Sequence, residues 1–250
     1  MRLASLGSGS RGNGTLLAFE NTYVLVDCGF PLKQTWARLA RLGVEPQALS
    51  AILVTHEHSD HASGVVALGQ RFKIPVYLSH GSLHCIRGLD DLARPFNAGD
   101  VMMINDVEVR AVAVPHDARE PTQFVFRWGR HQVGILTDIG HITPHVTSSY
   151  GACTGLFMES NHDRGMLMRG AYPERLKRRI AGDFGHLSNE QAAAFLDSVV
   201  HDALTHVVVG HVSEQNNSKD RLEHVFARFA ARIPSFSYAT QDDGIGWLEL

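Results

Sequence analysis

Residues 50–61 read SAILVTHEHSDH, a short apolar run that passes directly into a cluster of polar side chains. His56, His58, Asp60 and His61 of this stretch form the pattern H-x-H-x-D-H. Alternate residues of an extended segment lie on one side, so His56 and His58 can bind the same metal ion. Asp60 and His61 lie beyond the bend and can reach a second ion. A solvated loop or a helix cap would explain a single such residue, but four ligand-type residues in this spacing predict a metal site at the end of a buried strand.

Three further ligand-type residues also follow strand-like runs. His116 follows VEVRAVAVP, Asp138 follows QVGILT and His211 follows THVVVG. We expect these residues to complete the metal site, with the Asp138 carboxylate bridging two cations. Asp27 follows a fourth run, YVLV, and we expect its carboxylate to orient a ligand histidine or the HEHSDH loop rather than bind metal.

The spacing of apolar residues predicts two halves, each with hairpins first and then strands that alternate with helices. TLLAFE and YVLVDCG are expected to form a hairpin, followed by helices at 32–43, 61–72 and 81–93. Hairpins from residue 100 precede the strands TGLFMES and THVVVG, and LSNEQAAAFLDSVV is a helix in which Ser188 and Gln191 have capping-box spacing. No linker or low-complexity tract interrupts this order. We therefore predict one domain over residues 1–250 with an α/β fold, a four-layer αββα sandwich of two mixed sheets flanked by helices.

The glycine-rich stretch SLGSGSRGNG, residues 5–14, has the G-x-G-x-x-G spacing of a dinucleotide-binding loop. Such a loop must open a helix, but TLLAFENTYVLVD follows it and favours strands joined by a turn. We therefore reject the dinucleotide interpretation. Instead, the glycines allow Ser10 and Asn13 to approach the metal cleft, where we expect them to contact the substrate.

Composition restricts the possible partners and the cellular compartment. The net charge is −3, so any contact with nucleic acid must be local rather than driven by an overall basic field. The three cysteines show no C-x-x-C spacing, which argues against a disulfide framework and a thiolate zinc site. Neither a signal sequence nor an apolar run long enough for a membrane span is recognisable. We expect a cytoplasmic protein that does not associate with membranes.

The chain resembles the metallo-β-lactamase superfamily, and the resemblance covers nearly its whole length. It rests on the order of five motifs: Asp27, the H-x-H-x-D-H stretch, His116, Asp138 and His211. The resemblance implies the αββα fold and two divalent metal ions, Zn²⁺ or Mn²⁺. It implies that one ion is held by His56, His58 and His116, that the other is held by Asp60, His61 and His211, and that Asp138 bridges them.

Further strings are similar to the YycJ/WalJ-type branch of bacterial nucleases, which is related to tRNase Z and RNase J. They are LGSGSRGN near the start, PHDAREP (115–121), ESNHD (159–163), GHLSNEQAA (185–193) and GHVSEQNN (210–217). The resemblance implies a cytoplasmic 5′-to-3′ exonuclease that acts on DNA rather than RNA.

The segment 164–179 is a candidate contact for a phosphate backbone. It contains one acid, Glu174, and six basic residues: Arg164, Arg169, Arg175, Lys177, Arg178 and Arg179. A solvated helix face explains the same charges equally well, so both interpretations stay open. Aromatic residues are sparse in this segment, and base stacking is therefore not expected.

The expected mechanism uses a metal-bridging hydroxide as nucleophile, with Asp60 both binding metal and orienting the hydroxide. His186 and His162 are the candidate general acids for the leaving alkoxide. Asn161 and Ser188 are candidate phosphate contacts. Ser188 is alternatively a helix cap, and His162 alternatively only satisfies a loop.

Two other activities remain open for the same set of ligands. A small-molecule ester or thioester hydrolase of the glyoxalase II type has the same metal ligands. An iron-dependent oxidoreductase on this scaffold is disfavoured, because flavodiiron sites usually have a carboxylate where His58 stands and because no flavin domain is recognisable.

Overall fold

Two seven-stranded sheets form the centre of the fold in the computed structural model, which describes residues 1–250. The strands of the first sheet are, in spatial order, β14 (Ile245–Glu249), β1 (Arg2–Gly7), β2 (Gly14–Phe19), β3 (Thr22–Val26), β4 (Leu49–Leu53), β5 (Val76–Ser79) and β6 (Ala93–Phe96). Those of the second sheet are β13 (Ser235–Tyr238), β12 (His206–Gly210), β11 (Gly155–Glu159), β10 (His131–Leu136), β9 (Thr122–Trp128), β8 (Val107–Ala113) and β7 (Val101–Ile104).

Nine α-helices connect these strands. They are α1 (Leu32–Arg41), α2 (Ser59–Ala62), α3 (Val65–Phe72), α4 (His80–Cys85), α5 (Pro144–Tyr150), α6 (Arg164–Arg169), α7 (Glu174–Ile180), α8 (Asn189–Val199) and α9 (Lys219–Ala230). Short 3₁₀ turns occupy Pro46–Ala48 and Asp90–Leu92. None of the nine helices is both long and apolar enough to cross a lipid bilayer.

Three separate hydrophobic layers show how the sheets and helices stack. Leu17 and Val24 of the first sheet pack with Phe124 of the second, so one layer lies between the two sheets. Because side chains alternate along a strand, Leu16 faces the other way and packs with helices α1 and α3. On the far side, Leu156 of the second sheet packs with helices α8 and α9. Three apolar layers separate four structural layers, which confirms the predicted αββα sandwich.

Both sheets are mixed, and their parallel strands determine where the polar clusters lie. Strands β3 to β6 are parallel to one another, whereas β14, β1, β2 and β3 pair antiparallel. In the second sheet β10 to β13 are parallel and β7 to β10 antiparallel. Carboxyl ends of parallel strands meet at the same edge of a sheet. The residues that follow β3, β4, β10 and β12 are therefore brought together.

The glycine-rich stretch forms the connection between β1 and β2, and the segment after it is the β2–β3 hairpin. No helix follows the glycines, as expected. The dinucleotide interpretation therefore has no structural basis.

Two predicted helices are wrong in part. The segment 61–72 divides into α2 and α3, because the Gly64 N–H donates to the Cys28 carbonyl (2.8 Å) and a side chain there would approach the Cys28 thiol to 2.7 Å. The segment 81–93 is helical only to Cys85. Gly88 then has φ of +89°, which ends regular helix, and Ala93 begins strand β6 beside β5.

We expect Ser188→Ala to lower the free energy of unfolding by about 1 kcal/mol, because the Ser188 hydroxyl caps helix α8 by accepting the Gln191 N–H. Urea unfolding at equilibrium measures the change. Ser198→Ala is the control, since it makes the same side-chain change on the exposed surface of the same helix. Equal effects of the two substitutions would contradict the capping role.

Candidate metal centre and active-site cleft

A cleft of about 220 Å³ opens where the carboxyl edges of the two sheets meet. Asp27 and His211 come immediately after β3 and β12, and Asp138 is the second residue after β10; their φ angles are +62°, +50° and +49°. Side chains other than glycine adopt this left-handed conformation rarely, although Asp and His tolerate it better than most. Each costs of order 1 kcal/mol or more. The chain therefore turns sharply at three of the strand ends that form the site.

His56, His58 and His116 form the first group of candidate ligands, with donor atoms within 4.8 Å of one another. His56 Nε2 and His116 Nε2 lie 2.9 and 3.3 Å from His58 Nδ1. The opposite nitrogen of each ring has a hydrogen-bond acceptor. His56 Nδ1 lies 3.0 Å from the Thr55 hydroxyl. His58 Nε2 lies 3.2 Å from the Asp117 carbonyl, and His116 Nδ1 lies 3.1 Å from the Gly185 carbonyl. These hydrogen bonds place the ring protons on the outer nitrogens. Three inward-facing lone pairs then repel one another unless a cation lies between them.

Burial supports the neutral state of two of these rings, His56 and His116. It lowers the pKa of His56 well below its usual value and lowers the pKa of His116 as well. Neutral imidazole is the form that binds metal. The first group therefore fits a transition-metal cation.

Asp60, His61 and His211 form a second group, and Asp138 lies between it and the first. Asp138 Oδ2 is 3.0 Å from His61 Nε2 and 2.9 Å from His211 Nδ1, while Asp138 Oδ1 is 3.9 Å from His116 Nε2. Asp138 Oδ2 and His211 Nδ1 are buried and, despite their proximity, are not aligned as a hydrogen bond. Buried polar atoms without partners are rare, and both atoms suit coordination of an ion between them.

The second group also concentrates negative charge. Burial alone lowers the pKa of His61, but the Asp138, Asp27 and Asp60 carboxylates outweigh it and raise that pKa well above its usual value. In the same way Asp138 and Glu159 outweigh burial and raise the pKa of His211 to about 10. So many carboxylates in one buried place require positive charge nearby, and divalent cations provide it. The residues present therefore fit divalent metal ions.

Asp27 makes the contacts predicted for an orienting carboxylate. It accepts the His61 Nδ1 proton at 2.7 Å, the Thr55 N–H at 2.8 Å and the Thr55 hydroxyl at 2.8 Å. The hydrogen bond to His61 leaves Nε2 of that ring directed at Asp138 and Asp60. Asp27 thereby fixes both the ring orientation and the end of strand β4.

Of the predicted substrate contacts, Ser10 and Asn161 line the cleft. Asn13 instead braces the glycine-rich loop: its Oδ1 accepts the Gly9 N–H at 2.8 Å, and its amide contacts the Asp60 carbonyl and His61. The loop is clamped from outside by Gln241, which donates to the Gly12 carbonyl and accepts the Arg11 N–H, both at 2.8 Å. Asn13 therefore lies against the metal-binding loop rather than in the open cleft.

Two further sequence-predicted residues lie away from the cleft. The His162 side chain is buried, with the residue only 1% exposed, and burial lowers its pKa to about 4. Ser188 is fully buried and forms the capping box of α8, which is the alternative already considered for it. Neither side chain faces the space that a substrate would enter, so their predicted catalytic and phosphate-binding roles have no geometric support.

His186 lies in the cleft, and behind it is Glu159, which the sequence reasoning missed. Glu159 Oε2 is 3.1 Å from His186 Nδ1, and the same carboxylate accepts the N–H groups of Asp138 (2.9 Å) and Leu187 (2.6 Å). Burial raises the pKa of Glu159, but His186 and His211 outweigh this effect and lower it to about 2. A signal for Glu159 existed in the sequence, since it ends the apolar run TGLFME just as Asp138 and His211 follow theirs.

Helix α7 forms one wall of the cleft through Leu176, Arg179 and Ile180. The Arg179 guanidinium donates to the Asp117 carboxylate, whose other oxygen is 3.5 Å from His116 Nε2. This ion pair places a cation of the predicted basic segment beside the first group of histidines.

We expect Asp27→Asn to weaken metal binding by about 10- to 100-fold, because an amide cannot accept hydrogen bonds from both Thr55 and His61 as the carboxylate does. Titration of the purified protein against a competing chelator, with metal content measured by mass spectrometry, gives the affinity. Asp202→Asn is the control, since that side chain is fully exposed. Wild-type affinity in Asp27→Asn would disprove the orienting role.

Comparison with known proteins identifies the family. A sequence profile of the β-lactamase superfamily domain matches residues 22–209. The chain is 34% identical over 225 residues to exodeoxyribonuclease YycJ of Bacillus anthracis, covering 88% of this chain and 85% of that protein. It is 32% identical over 222 residues to exodeoxyribonuclease WalJ of Streptococcus pneumoniae, covering 86% and 82%. The resemblance to this branch is thus confirmed.

A solved structure supports the same conclusion at the level of fold. Zn²⁺-bound PqqB from Methylobacterium extorquens matches with a TM-score of 0.72 over 100% of both chains, at 15% identity. Similarity at so low an identity concerns the fold alone. The profile and the two relatives, with which this fold agrees, show that the chain belongs to the metallo-β-lactamase superfamily.

Proposed function

We propose that this metal-dependent hydrolase cleaves phosphodiester bonds of nucleic acid and acts as a 5′-to-3′ exodeoxyribonuclease. The observation that carries the proposal is the cleft itself, in which two groups of candidate ligands lie on either side of the Asp138 carboxylate, beneath a wall that includes Arg179. Two-metal sites of this kind suit in-line displacement at phosphorus, and a cationic wall suits a phosphate backbone. The names of the YycJ and WalJ relatives are consistent with it.

We assign two divalent ions, Zn²⁺ or Mn²⁺, to the cleft. His56, His58 and His116 would hold one, Asp60, His61 and His211 the other, and Asp138 both. Bound there, such ions would stabilise charge on phosphate oxygens and lower the pKa of a coordinated water to about 7.

Asp60 and Asn161 provide polar groups around the reacting phosphate in this proposal. Asp60 is partly exposed to the cleft, and its Oδ2 is 3.4 Å from His61 Nε2 and 3.8 Å from His211 Nε2. It would accept a hydrogen bond from the attacking water and so direct the water toward phosphorus. The Asn161 amide donates to the His211 carbonyl at 3.0 Å, which fixes its orientation at the cleft surface.

His186 is the proposed general acid, and Glu159 orients it. The imidazole is partly exposed to the cleft, and its Nδ1 is held by the buried Glu159 carboxylate. The carboxylate holds the ring through Nδ1 and so leaves the other ring nitrogen to donate a proton to the leaving alkoxide.

A thioester hydrolase of the glyoxalase II type remains the second candidate because it needs the same ligands. Its leaving thiolate requires no general acid at neutral pH, so the Glu159–His186 pair favours cleavage of a phosphodiester, whose alkoxide must be protonated. Iron-dependent oxidation requires redox-active iron, and metal analysis of the purified protein distinguishes it from the hydrolases.

End-labelled single- and double-stranded DNA and RNA, incubated with Mn²⁺ or Zn²⁺, test the proposal directly. A 5′ label should appear at once as mononucleotide, whereas a 3′ label should give a shortening ladder. His116→Ala removes a proposed metal ligand and is the control, in which cleavage of every substrate should be lost. Hydrolysis of a glutathione thioester without degradation of any polymer would reject the nuclease proposal, and release from the 3′ end would reject the polarity.

We expect His186→Ala to lower kcat for oligonucleotide cleavage by about 100-fold or more while metal content stays at the wild-type level, since it removes a proton donor and not a ligand. His145→Ala, an exposed histidine on α5, is the control. Loss of metal from His186→Ala would make His186 a ligand and end the general-acid assignment.

We also expect Glu159→Gln to lower kcat by about tenfold in the wild-type background, but less than about twofold when His186 is already alanine. The dependence arises because Glu159 is proposed to act through His186. Steady-state kinetics of the two single variants and the double variant measure the coupling. Equal factors in both backgrounds would show that Glu159 acts instead through the Asp138 and Leu187 backbone contacts.

A further inference from the structure

Phe184 is an exposed aromatic residue that directly precedes Gly185 and His186, two residues of the cleft wall, and the proposed chemistry does not use it. It is 59% exposed, among the highest values for a large apolar side chain in the protein. Its carbonyl accepts the Asp117 N–H at 3.0 Å, and it lies two residues before His186. The backbone of Phe184 is therefore fixed between Asp117 and Gly185, both of which line the cleft.

The loop that carries Phe184 is firmly attached to α7. The His186 N–H donates to the Ile180 carbonyl at 2.8 Å, and the Gly185 N–H donates to the Gly182 carbonyl at 2.9 Å. A side chain at Gly185 would overlap the carbonyls at the end of α7, so only glycine permits this close approach. The aromatic ring is thus held in solvent by a tight turn.

Two exposed arginines lie four residues apart on α7. Arg179 lines the cleft, and Arg175 precedes it by four residues, so the two share one face of the helix. Arg175 is exposed, and no carboxylate lies within 4 Å of it among the ion pairs of the protein. We name Arg175, Arg179 and Phe184 together the α7 rim.

We propose that the α7 rim binds an unpaired segment of single-stranded DNA next to the bond being cleaved, with a base stacked on Phe184 and phosphates against Arg175 and Arg179. Cationic grooves with an exposed aromatic ring are the usual means of binding single strands. The faces of a base inside a duplex are already stacked on its neighbours, so Phe184 offers most to an unpaired base. Arg179 would exchange the Asp117 carboxylate for a backbone phosphate, which accepts the guanidinium equally well. This inference rests on the proposed nuclease function.

The test compares turnover of a single-stranded oligonucleotide with that of bis(p-nitrophenyl) phosphate, a diester that has no neighbouring nucleotide to contact Phe184 and Arg175. For Phe184→Leu we expect the ratio of the two kcat/KM values to fall about tenfold, and for Phe184→Trp to stay within about threefold of wild type. Arg175→Ala should weaken binding of the oligonucleotide and reduce the slope of log affinity against log salt by about 0.7.

Two substitutions serve as matched controls. Met103→Ala removes an apolar side chain of similar exposure, 57%, on strand β7. Arg130→Ala removes an exposed arginine from the turn between β9 and β10, at the opposite end of those strands from the metal centre. Neither should change the ratio or the salt slope.

The inference is overturned if Phe184→Leu behaves like Met103→Ala, or if it affects a blunt duplex as strongly as a single strand. In both cases the wild-type enzyme still degrades DNA, and the proposed function stands. If the wild type hydrolyses a thioester but neither phosphodiester, the proposed function and this inference fail together. Binding of a protein at Phe184 with no change in the ratio would assign the rim to a different partner and reject the DNA assignment.

Discussion

The contact on which the metal-binding loop depends is the buried carboxylate of Asp27. It joins the end of β3 to the Thr55 backbone and to the His61 ring. The Thr55 carbonyl in turn accepts the Thr122 N–H of the second sheet at 3.0 Å. The loop that carries four candidate ligands is thus fixed to both sheets through two neighbouring residues. The left-handed turn at Asp27 is the conformational cost of this arrangement, and the buried hydrogen bonds compensate for it.

Strand ends explain why so much of the site could be predicted from the sequence. His56, Asp138 and His211 each follow an apolar run, and parallel strands necessarily bring such positions to one edge. The order of runs likewise predicted the αββα layers correctly. Glu159 was missed because it is the last residue within its apolar run, whereas Asp138 and His211 lie beyond the ends of theirs. Its importance is apparent only when β10, β11 and β12 are side by side.

Other differences arise from close contacts that no local pattern reports. The break between α2 and α3 depends on Gly64 meeting Cys28, a residue far earlier in the chain. His162 and Ser188 are near the site in sequence, but a short backbone bridge between them turns both side chains inward. Phe184 lies five residues beyond the basic segment 164–179, so the scarcity of aromatic residues within that segment gave no indication of it. Local propensity therefore predicted the elements, whereas tertiary contacts determined which polar side chains reach the cleft.

The pairing of β14 with β1, together with the clamp that Gln241 places on the glycine-rich loop, has a consequence for biosynthesis. These contacts join residues of β1 and the glycine-rich loop to residues that the ribosome makes more than two hundred positions later. Pairings of such high sequence separation form slowly, and they cannot form while the later segment is inside the exit tunnel. In the second sheet, by contrast, each strand pairs with the strand next to it in sequence, and all seven strands lie between Val101 and Tyr238. A nascent chain would therefore carry the glycine-rich loop, which contacts the HEHSDH loop through Asn13, for some time without the support of Gln241. Full assembly of the cleft would await release of residues 241–249 from the exit tunnel.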